Sequence, residues 1–275
     1  MREMSIKDVQ NICLEILKDV HEFCLLNDIK YSLSGGSLLG AIRHNGFIPW
    51  DDDVDIQMPR PDYDRFIHLY ESNKGYRLFS RELVGGENVR VRLSKVCEME
   101  KTYMDQGPYC WTDMEVGVGI DIIPVDGAPD SIDEASKHIN LLIKKSRMVN
   151  AYRVKHASFK EIFKHDSFIQ RLLFVLRKIY GYFVPNNCVM SLINLQKKYS
   201  YDSSSFFCAG IHYGIGEWQP KKNMESYMLH QFEDAEFFIM SGYDANLRSL
   251  FGDYMKLPPI EKRKTHSFYR YYWKL

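Results

Sequence analysis

The sequence predicts an α+β protein: a mixed sheet with flanking helices, followed by a largely helical C-terminal half. As far as about Val149, segments with the two-residue alternation of strands are interleaved with segments of helical periodicity. From Ser131 onward helical periodicity dominates, and no internal repeat or low-complexity linker interrupts it. A boundary near Pro129 divides the 275 residues into a core, 1–130, and a mainly helical region, 131–275, that packs against the core.

The first helix is predicted from about Ser5 to Leu26. It opens on a Ser5–Asp8 pair that resembles a capping box, and apolar residues then recur at helical spacing. Pro61 opens a later helix, and Pro124 and Gly127 are expected to end the last strand of the first half. The other predicted elements are strands at 29–33, 54–58, 76–79, 89–96 and 117–125, a short helix at 37–43, and helices at 132–149, 159–180 and 188–199.

Composition narrows the function classes. Lys+Arg and Asp+Glu balance at 36 each, so a bulk polyanion partner is not indicated and nucleic-acid binding ranks low. The six cysteines form no CxxC pair, and a charged amphipathic stretch rather than an apolar leader follows Met1. Reduced thiols and a cytoplasmic location are therefore expected. No run of 18 apolar residues occurs, so no membrane span is predicted.

An acidic run at 51–55 is the most informative segment. Alternate residues of a strand share a face, so Asp53 and Asp55 project together while Val54 and Ile56 face the core. Neighbouring carboxylates repel unless a cation lies between them, and Mg²⁺ prefers such oxygen ligands. Asp121 lies in a second apolar strand and could complete a three-carboxylate site. A solvated loop, a calcium site or an Asp at a sheet edge are the alternatives.

A Gly35–Gly36–Ser37 turn lies between a predicted strand and a short helix. Glycines let a backbone approach a phosphate, and a helix N-terminus favours an anion. Arg43 and His44 follow about two turns later and are candidates for phosphate contacts. Two alternatives stay open: the turn has a purely structural role, and His44 makes a structural hydrogen bond rather than a phosphate contact.

Three segments carry a family resemblance. Residues 35–55, GGSLLGAIRHNGFIPWDDDVD, closely resemble the signature of the LicD family, the phosphocholine transferases of bacterial surface polysaccharides. Residues 119–127 resemble the strand that bears the family's third acid, and the segment 243–266, with FGDYMKLPP and KRKTH, resembles its C-terminal motif. Fukutin-type ribitol-phosphate transferases are more distant relatives.

The resemblance implies a nucleotidyltransferase (polymerase-beta-like) fold and a transfer from a CDP-activated donor to a sugar hydroxyl. Phosphocholine, or a related phospho-alcohol, would pass to a glycan acceptor of the cell surface or its lipid-linked precursor. It also implies that Asp53, Asp55 and Asp121 hold Mg²⁺ or Mn²⁺, that Asp121 takes the acceptor's proton, and that 43–50 is an insertion lining the site. An enzyme that adds NMP to a small molecule, a polyol-phosphate transferase and a non-catalytic metal- or nucleotide-binding module are the alternatives.

Aromatic residues near the acids bear on the donor, because choline is recognised by aromatic faces. Trp50, Trp111 and Asp52 are the candidates for the donor pocket. The alternative for either tryptophan is that its ring packs in the core or a loop and does not contact the donor. The basic, apolar segment 168–180 fits either peripheral membrane contact near a lipid-linked acceptor or a core helix, and its broad apolar face favours the core helix. The aromatic tail 268–273 is expected to dock the C-terminus.

Overall fold

The computed structural model describes residues 1–164, 167–209, 213–265 and 269–274. Its strands are β1 (Arg2–Glu3), β2 (Ser32–Leu33), β3 (Asp55–Pro59), β4 (Arg77–Phe79), β5 (Ser94–Cys97), β6 (Thr102–Asp105), β7 (Gly119–Ala128), β8 (Phe206–Cys208), β9 (Trp218–Pro220), β10 (Tyr227–Phe232), β11 (Ala235–Met240) and β12 (Arg270–Trp273). Its helices are α1 (Ile6–Leu26), α2 (Gly35–His44), α3 (Arg60–Leu69), α4 (Ile132–His156), α5 (Phe168–Phe183), α6 (Cys188–Gln196) and α7 (Tyr243–Phe251).

The central sheet has the strand order β2-β3-β7-β5-β4, and β8 and β9 continue it from the distal end of β7. β3 and β7 run parallel, whereas the other neighbours are antiparallel. The α+β class and the mixed sheet are therefore confirmed. Because β3 and β7 are adjacent and parallel, side chains at matching positions of the two strands lie beside each other.

Helix α1 covers the sheet and confirms the prediction for the N-terminus. Ser5 caps it: the Ser5 hydroxyl accepts from the Asp8 N–H at 3.2 Å, and the Asp8 carboxylate accepts from the Ser5 N–H at 2.9 Å. Its inward residues Cys13, Ile16 and Leu17 are completely buried. All six cysteines lie in the described residues, and no disulfide joins them.

Pro124 does not end β7, contrary to the prediction. The strand continues to Ala128, and Pro124 pairs with Met58 of the parallel neighbour. On the opposite side of β7, the pairing with β5 stops at Ile122 and the pairing with β8 begins only at Asp126. Pro124 therefore lies between the end of the β5 pairing and the start of the β8 pairing. Its missing N–H interrupts no backbone hydrogen bonds to either strand.

Helices α4, α5 and α6 pack together in the region 131–200, as the periodicity predicts. The predicted helix at 159–180 is divided into a 3₁₀ turn at 159–164 and α5. The interpretation of α5 as a core helix is wrong, because most of its large apolar side chains are exposed to solvent. Periodicity identifies an apolar face but not what covers it. Within the described segments, no helix combines the length and apolarity needed to cross a bilayer.

The tail contributes strands to the first half. The β10–β11 hairpin packs beside β2, where the Ser32 hydroxyl accepts from the Met240 N–H at 2.9 Å. Strand β12 lies between β1 and β6 in a separate antiparallel sheet, so the predicted docking of the aromatic tail is confirmed for 270–273. Two residues of the predicted C-terminal features, His266 and Phe268, lie outside the described residues.

Candidate active site

A cavity of about 640 Å³ opens where β3 and β7 begin. The cavity is surrounded by the N-terminus of α2, the acidic run, the start of β7 and α7. Phe207, Ala209, Tyr213, Glu217 and Lys264 also line it. The three predicted catalytic acids Asp53, Asp55 and Asp121 all line this cavity. The arrangement therefore brings together acids separated by more than sixty residues in the sequence.

The acidic run alternates as the strand argument requires, and it extends further than predicted. Asp51, Asp53 and Asp55 line the cavity and are half-buried, whereas Asp52, Val54 and Ile56 are buried away from it. The donor-pocket assignment of Asp52 is therefore wrong. Asp51 and Asp53 both precede β3, and the period of two that identified Asp53 would also have identified Asp51.

The Asp52 side chain instead belongs to the electrostatic surroundings of Cys13 on α1. Burial, Asp53 and Asp52 raise the pKa of the Cys13 thiol well above its ordinary value. This thiol therefore stays protonated beneath the acidic run and acts as a small apolar side chain.

Backbone hydrogen bonds hold the acids in place. Asp55 is paired in register with Asp121 across the parallel strands, and the Asp121 N–H donates to the Val54 carbonyl at 2.9 Å. The Ser34 N–H donates to the Asp55 carbonyl, also at 2.9 Å. The Ser37 hydroxyl accepts from the Asp55 N–H at 2.9 Å and does not line the cavity. Ser37 therefore positions Asp55, and its predicted phosphate contact stays a prediction.

The two glycines at the start of α2 line the cavity and make room for carboxylates. Gly35 has a φ of +51°, a conformation that glycine adopts without steric penalty. A Cβ on Gly36 would lie 2.6 Å from Asp51 Oδ2, which is closer than any real contact. Any side chain at position 36 would therefore displace Asp51.

The acids repel one another in this arrangement. Burial, followed by the charges of Asp55, Asp51, Asp121 and Asp52, raises the pKa of Asp53 well above its ordinary value. As the side chains stand, no three His, Cys, Asp or Glu residues within the described parts of the chain are grouped closely enough to enclose a metal ion. The cavity lining nevertheless carries five carboxylates against two basic side chains, Arg92 and Lys264. Such hard oxygen donors suit a divalent cation, which would draw the carboxylates together.

Lys95 is the buried basic partner of Asp121. Its ammonium forms a salt bridge with Asp121 Oδ1 and lies 5.6 Å from the centroid of the Trp111 ring. Burial lowers the pKa of Lys95, but the charge and hydrogen bond of Asp121, together with Tyr269 and Cys97, raise it above its ordinary value. Sequence reasoning missed Lys95 because the pairing of β5 with β7, in which Lys95 faces Asp121, is not a local property.

Trp111 does not lie in the donor pocket, contrary to the prediction. It is completely buried in a separate apolar cluster, where its ring packs edge-on against Phe79 at 5.5 Å. The ring supports Lys95 from behind, and no face of it is open to a ligand. Its position in the sequence near the acids was not a guide to its position in the fold.

Trp50 does line the cavity. The Arg263 guanidinium lies 5.4 Å from the centroid of its ring, and the His44 ring meets it edge-on at 6.4 Å. The Arg43 guanidinium donates to the Tyr254 carbonyl at 2.8 Å and to His44 Nε2 at 3.0 Å. Burial and Arg43 lower the pKa of His44. Arg43 and His44 thus join α2 to the C-terminal motif, and neither lines the cavity.

Further polar residues line the cavity without having been predicted. Arg92 is buried and donates to the Ala209 carbonyl at 3.4 Å, and Glu217 accepts from the Tyr213 N–H at 3.2 Å. Burial and Glu217, followed by Asp55, raise the pKa of Tyr213 to about 12. Asn246 and Lys264 complete the polar lining. These residues come from distant parts of the chain, and no local pattern marked them.

Comparison with known proteins yields consistent relatives. A family model described as LicD/FKTN/FKRP, nucleotidyltransferase domain, matches residues 28–116, which include the acidic run but not Asp121. Lipopolysaccharide cholinephosphotransferase LicD of Haemophilus influenzae is 31% identical over 286 aligned residues, covering 99% of each chain. Ribitol 5-phosphate transferase FKRP of Homo sapiens is 31% identical over 106 residues, 35% of this chain and 21% of that protein.

Proposed function

The chain belongs to the LicD family, and we propose that it transfers phosphocholine from a CDP-activated donor to a sugar hydroxyl. The acceptor would be a cell-surface polysaccharide or its lipid-linked precursor. The observation that carries the proposal is the register of Asp55 with Asp121 on adjacent parallel strands, with Asp53 beside them in one cavity. The full-length relative, named a lipopolysaccharide cholinephosphotransferase, supports this choice. The nucleotidyltransferase fold of the catalytic core is part of the proposal.

We propose Mg²⁺ as the cofactor, held by Asp53, Asp55 and Asp121. A CDP-alcohol brings a negatively charged diphosphate to a cavity that already holds five carboxylates, so binding requires added positive charge. When bound, the metal would neutralise charge on the phosphate oxygens, as divalent cations do in phosphoryl transfer. Gly35 and Gly36 leave the carboxylates the space to rearrange around it.

The protein's own residues then supply positioning and proton transfer. The acceptor hydroxyl attacks the phosphorus that carries choline, its bond to the bridging oxygen breaks, and CMP leaves. Asp121 takes the hydroxyl proton, while the Lys95 ammonium on its other side keeps the carboxylate in place. Arg92 and Lys264 are the basic residues that reach donor phosphates from within the cavity. Phosphate contacts from Arg43 and His44 would require a movement of α2 or of the segment that contains Tyr254.

Trp50 is the aromatic face proposed for choline. A quaternary ammonium has no hydrogen-bond donor and is held by cation–π contacts worth roughly 0.5–2 kcal/mol each. Arg263 already occupies this position on the ring, at 5.4 Å from its centroid. Choline would therefore contact the other face of the Trp50 ring or replace the Arg263 guanidinium. In either case the ring would bind a cation, as it already does with Arg263.

The decisive experiment is product analysis. The purified chain is incubated with CDP-choline and choline-free lipopolysaccharide, with Mg²⁺ or with EDTA, and the product is examined by mass spectrometry. Addition of phosphocholine in the presence of Mg²⁺ is the expected result. Addition of CMP instead would identify an NMP-adding nucleotidyltransferase, and absence of any product would favour a non-catalytic module.

A second candidate, polyol-phosphate transfer, is favoured by the similarity to the ribitol 5-phosphate transferase over 106 residues. Calorimetry with CDP-choline, CDP-ribitol and CDP-glycerol separates the two. We expect CDP-choline to bind most tightly of the three donors. In Trp50→Ala, the difference in affinity between CDP-choline and the two polyol donors should be smaller. Trp111→Ala changes the core rather than the cavity and serves as a comparison. Tighter binding of a polyol donor would replace phosphocholine by polyol phosphate.

A further inference from the structure

Helix α5 presents a broad apolar face to solvent. We define the α5 face by Ile169, Leu172, Leu173, Leu176, Ile179 and Phe183, each about half exposed or more, with Phe183 80% exposed. At ~100° per residue, these side chains fall within an arc of roughly 120°. Isolated apolar residues on a surface are ordinary, but a contiguous face of this size indicates an interaction surface.

Contacts with α4 fix the direction of this face. Phe174, Lys178 and Gly181, on the opposite side of α5, are buried. A Cβ on Gly181 would lie 2.3 Å from the Ala151 carbonyl oxygen, so the two helices approach as closely as glycine permits. The Lys178 ammonium donates to the Lys155 carbonyl at 2.7 Å, at the C-terminal end of α4. The helix therefore cannot turn its apolar face inward without losing these contacts.

Charge is distributed unevenly around the α5 face. Residues 135–200 contain thirteen Lys and Arg against two Asp and Glu, although the whole chain has 36 of each. Of the two acids, Glu161 is buried and Asp166 lies outside the described residues. Arg177 is exposed about 40° beyond one edge of the α5 face, whereas Arg171 is exposed nearer to the opposite side of the helix. The helical region is thus strongly basic, and the remainder of the chain is correspondingly acidic.

We propose that the α5 face lies on the surface of an anionic phospholipid bilayer. An amphipathic helix with an apolar face and flanking basic residues binds in this way, with its axis in the plane of the interface. A second copy of the chain fits less well, since a twofold contact through the α5 face would bring the same basic residues together. The acidic remainder of the chain is repelled by an anionic surface, and this favours the orientation with α5 toward the lipid.

Vesicle co-sedimentation tests the proposal without donor or acceptor, so its outcome is independent of the transferase activity. The full chain is mixed with vesicles of phosphatidylcholine alone, or with about one-third phosphatidylglycerol. Binding should be ~10-fold or more stronger with the anionic lipid. It should weaken between about 0.1 and 1 M salt, as the Debye length falls from about 10 to 3 Å.

A pair of matched variants locates the contact. Leu172→Gln with Leu176→Gln removes two exposed leucines of the α5 face and should lower vesicle binding at least ~10-fold. Leu25→Gln with Leu26→Gln makes the same change at exposed positions of α1 and should bind like the wild type. Both variants should unfold at the wild-type temperature, because the replaced side chains are exposed.

Three results would overturn the proposal. The first is a wild-type chain that ignores anionic vesicles, and the second is equal binding by the two double variants. The third is a dimer, detected by sedimentation velocity, that the Leu172 and Leu176 changes dissociate while vesicle binding is absent or unaffected. The third result would assign the α5 face to a second copy of the chain.

Discussion

Gly36→Ala is the sharpest perturbation that the site offers. The new Cβ would lie 2.6 Å from Asp51 Oδ2, whereas ordinary contacts begin at 3.4 Å. The carboxylate must therefore move by about 0.8 Å, into the cavity that it lines. The obstacle is the end of a flexible side chain, so we expect the free energy of unfolding to change by less than about 1 kcal/mol. A displacement of this size near reacting groups should lower kcat up to ~10²-fold.

The neighbouring glycine provides a matched control. Gly35→Ala places a Cβ 3.6 Å from Asp55 Oδ2, an ordinary contact, but at a φ of +51°. We expect this variant to lose roughly 1–2 kcal/mol of stability through backbone strain. Chemical denaturation and phosphocholine transfer from CDP-choline, measured on both variants, should therefore give opposite patterns: Gly35→Ala affects mainly stability and Gly36→Ala mainly turnover.

A double-mutant cycle isolates the cause. In an Asp51→Ala background the obstructing carboxylate is absent, and Gly36→Ala should lower kcat no further. In an Asp51→Asn background the side chain keeps its size, and the effect of Gly36→Ala should persist. A penalty of equal size in both backgrounds would show that Gly36 acts through something other than its clearance of Asp51.

Three further predictions address the acids and one buried histidine. Asp53→Ala should lower turnover by at least ~10³-fold and abolish any stabilisation by Mg²⁺ in thermal unfolding, and near-normal activity would remove Asp53 from the site. Asp121→Asn should keep most of the affinity for CDP-choline, measured by calorimetry, while kcat falls; weaker donor binding with unchanged kcat would contradict its role as the proton acceptor. Burial, followed by Lys198, lowers the pKa of His138 below its ordinary 6.5, so its contribution to stability is present above about pH 6.5 and is lost as the pH falls below it. The free energy of unfolding, measured with urea between about pH 5 and 8, should show this loss for the wild type. It should depend less steeply on pH in His138→Gln, and an equal pH dependence in the two proteins would exclude His138 as the source.

The three acids of the cavity, Asp53, Asp55 and Asp121, were predictable because their signals are local. The alternation of Asp53 and Asp55 with Val54 depends only on the period of a strand. A lone acid between branched apolar residues marked Asp121 in the same way. The starts of α1 and α4 follow from periodicity, with the Ser5 cap marking the first of them, and the structure confirms both.

The remaining site residues depend on contacts that no local pattern encodes. Lys95 reaches Asp121 only through the antiparallel register of β5 with β7, and Arg92 enters the cavity from the loop that precedes β5. The prediction for Trp111 was wrong for the same reason: the residue is near Asp121 in the sequence, but the fold buries its ring in a separate apolar cluster. The solvent exposure of α5 could not be predicted from the sequence either. Periodicity describes a single helix, whereas exposure depends on the elements that pack against it.

The small sheet β1-β12-β6 has a consequence for biosynthesis. Residues 2–3 and 102–105 both pair with residues 270–273, which lie between them. Until those residues emerge from the ribosome, β1 and β6 have no partner strand in this sheet, and the cavity also lacks Lys264. Such long-range pairing is slow and exposes unpaired strand edges in the meantime. A nascent chain stalled before residue 264 should therefore bind chaperones and lack transferase activity, however well its α1–β7 segment has folded.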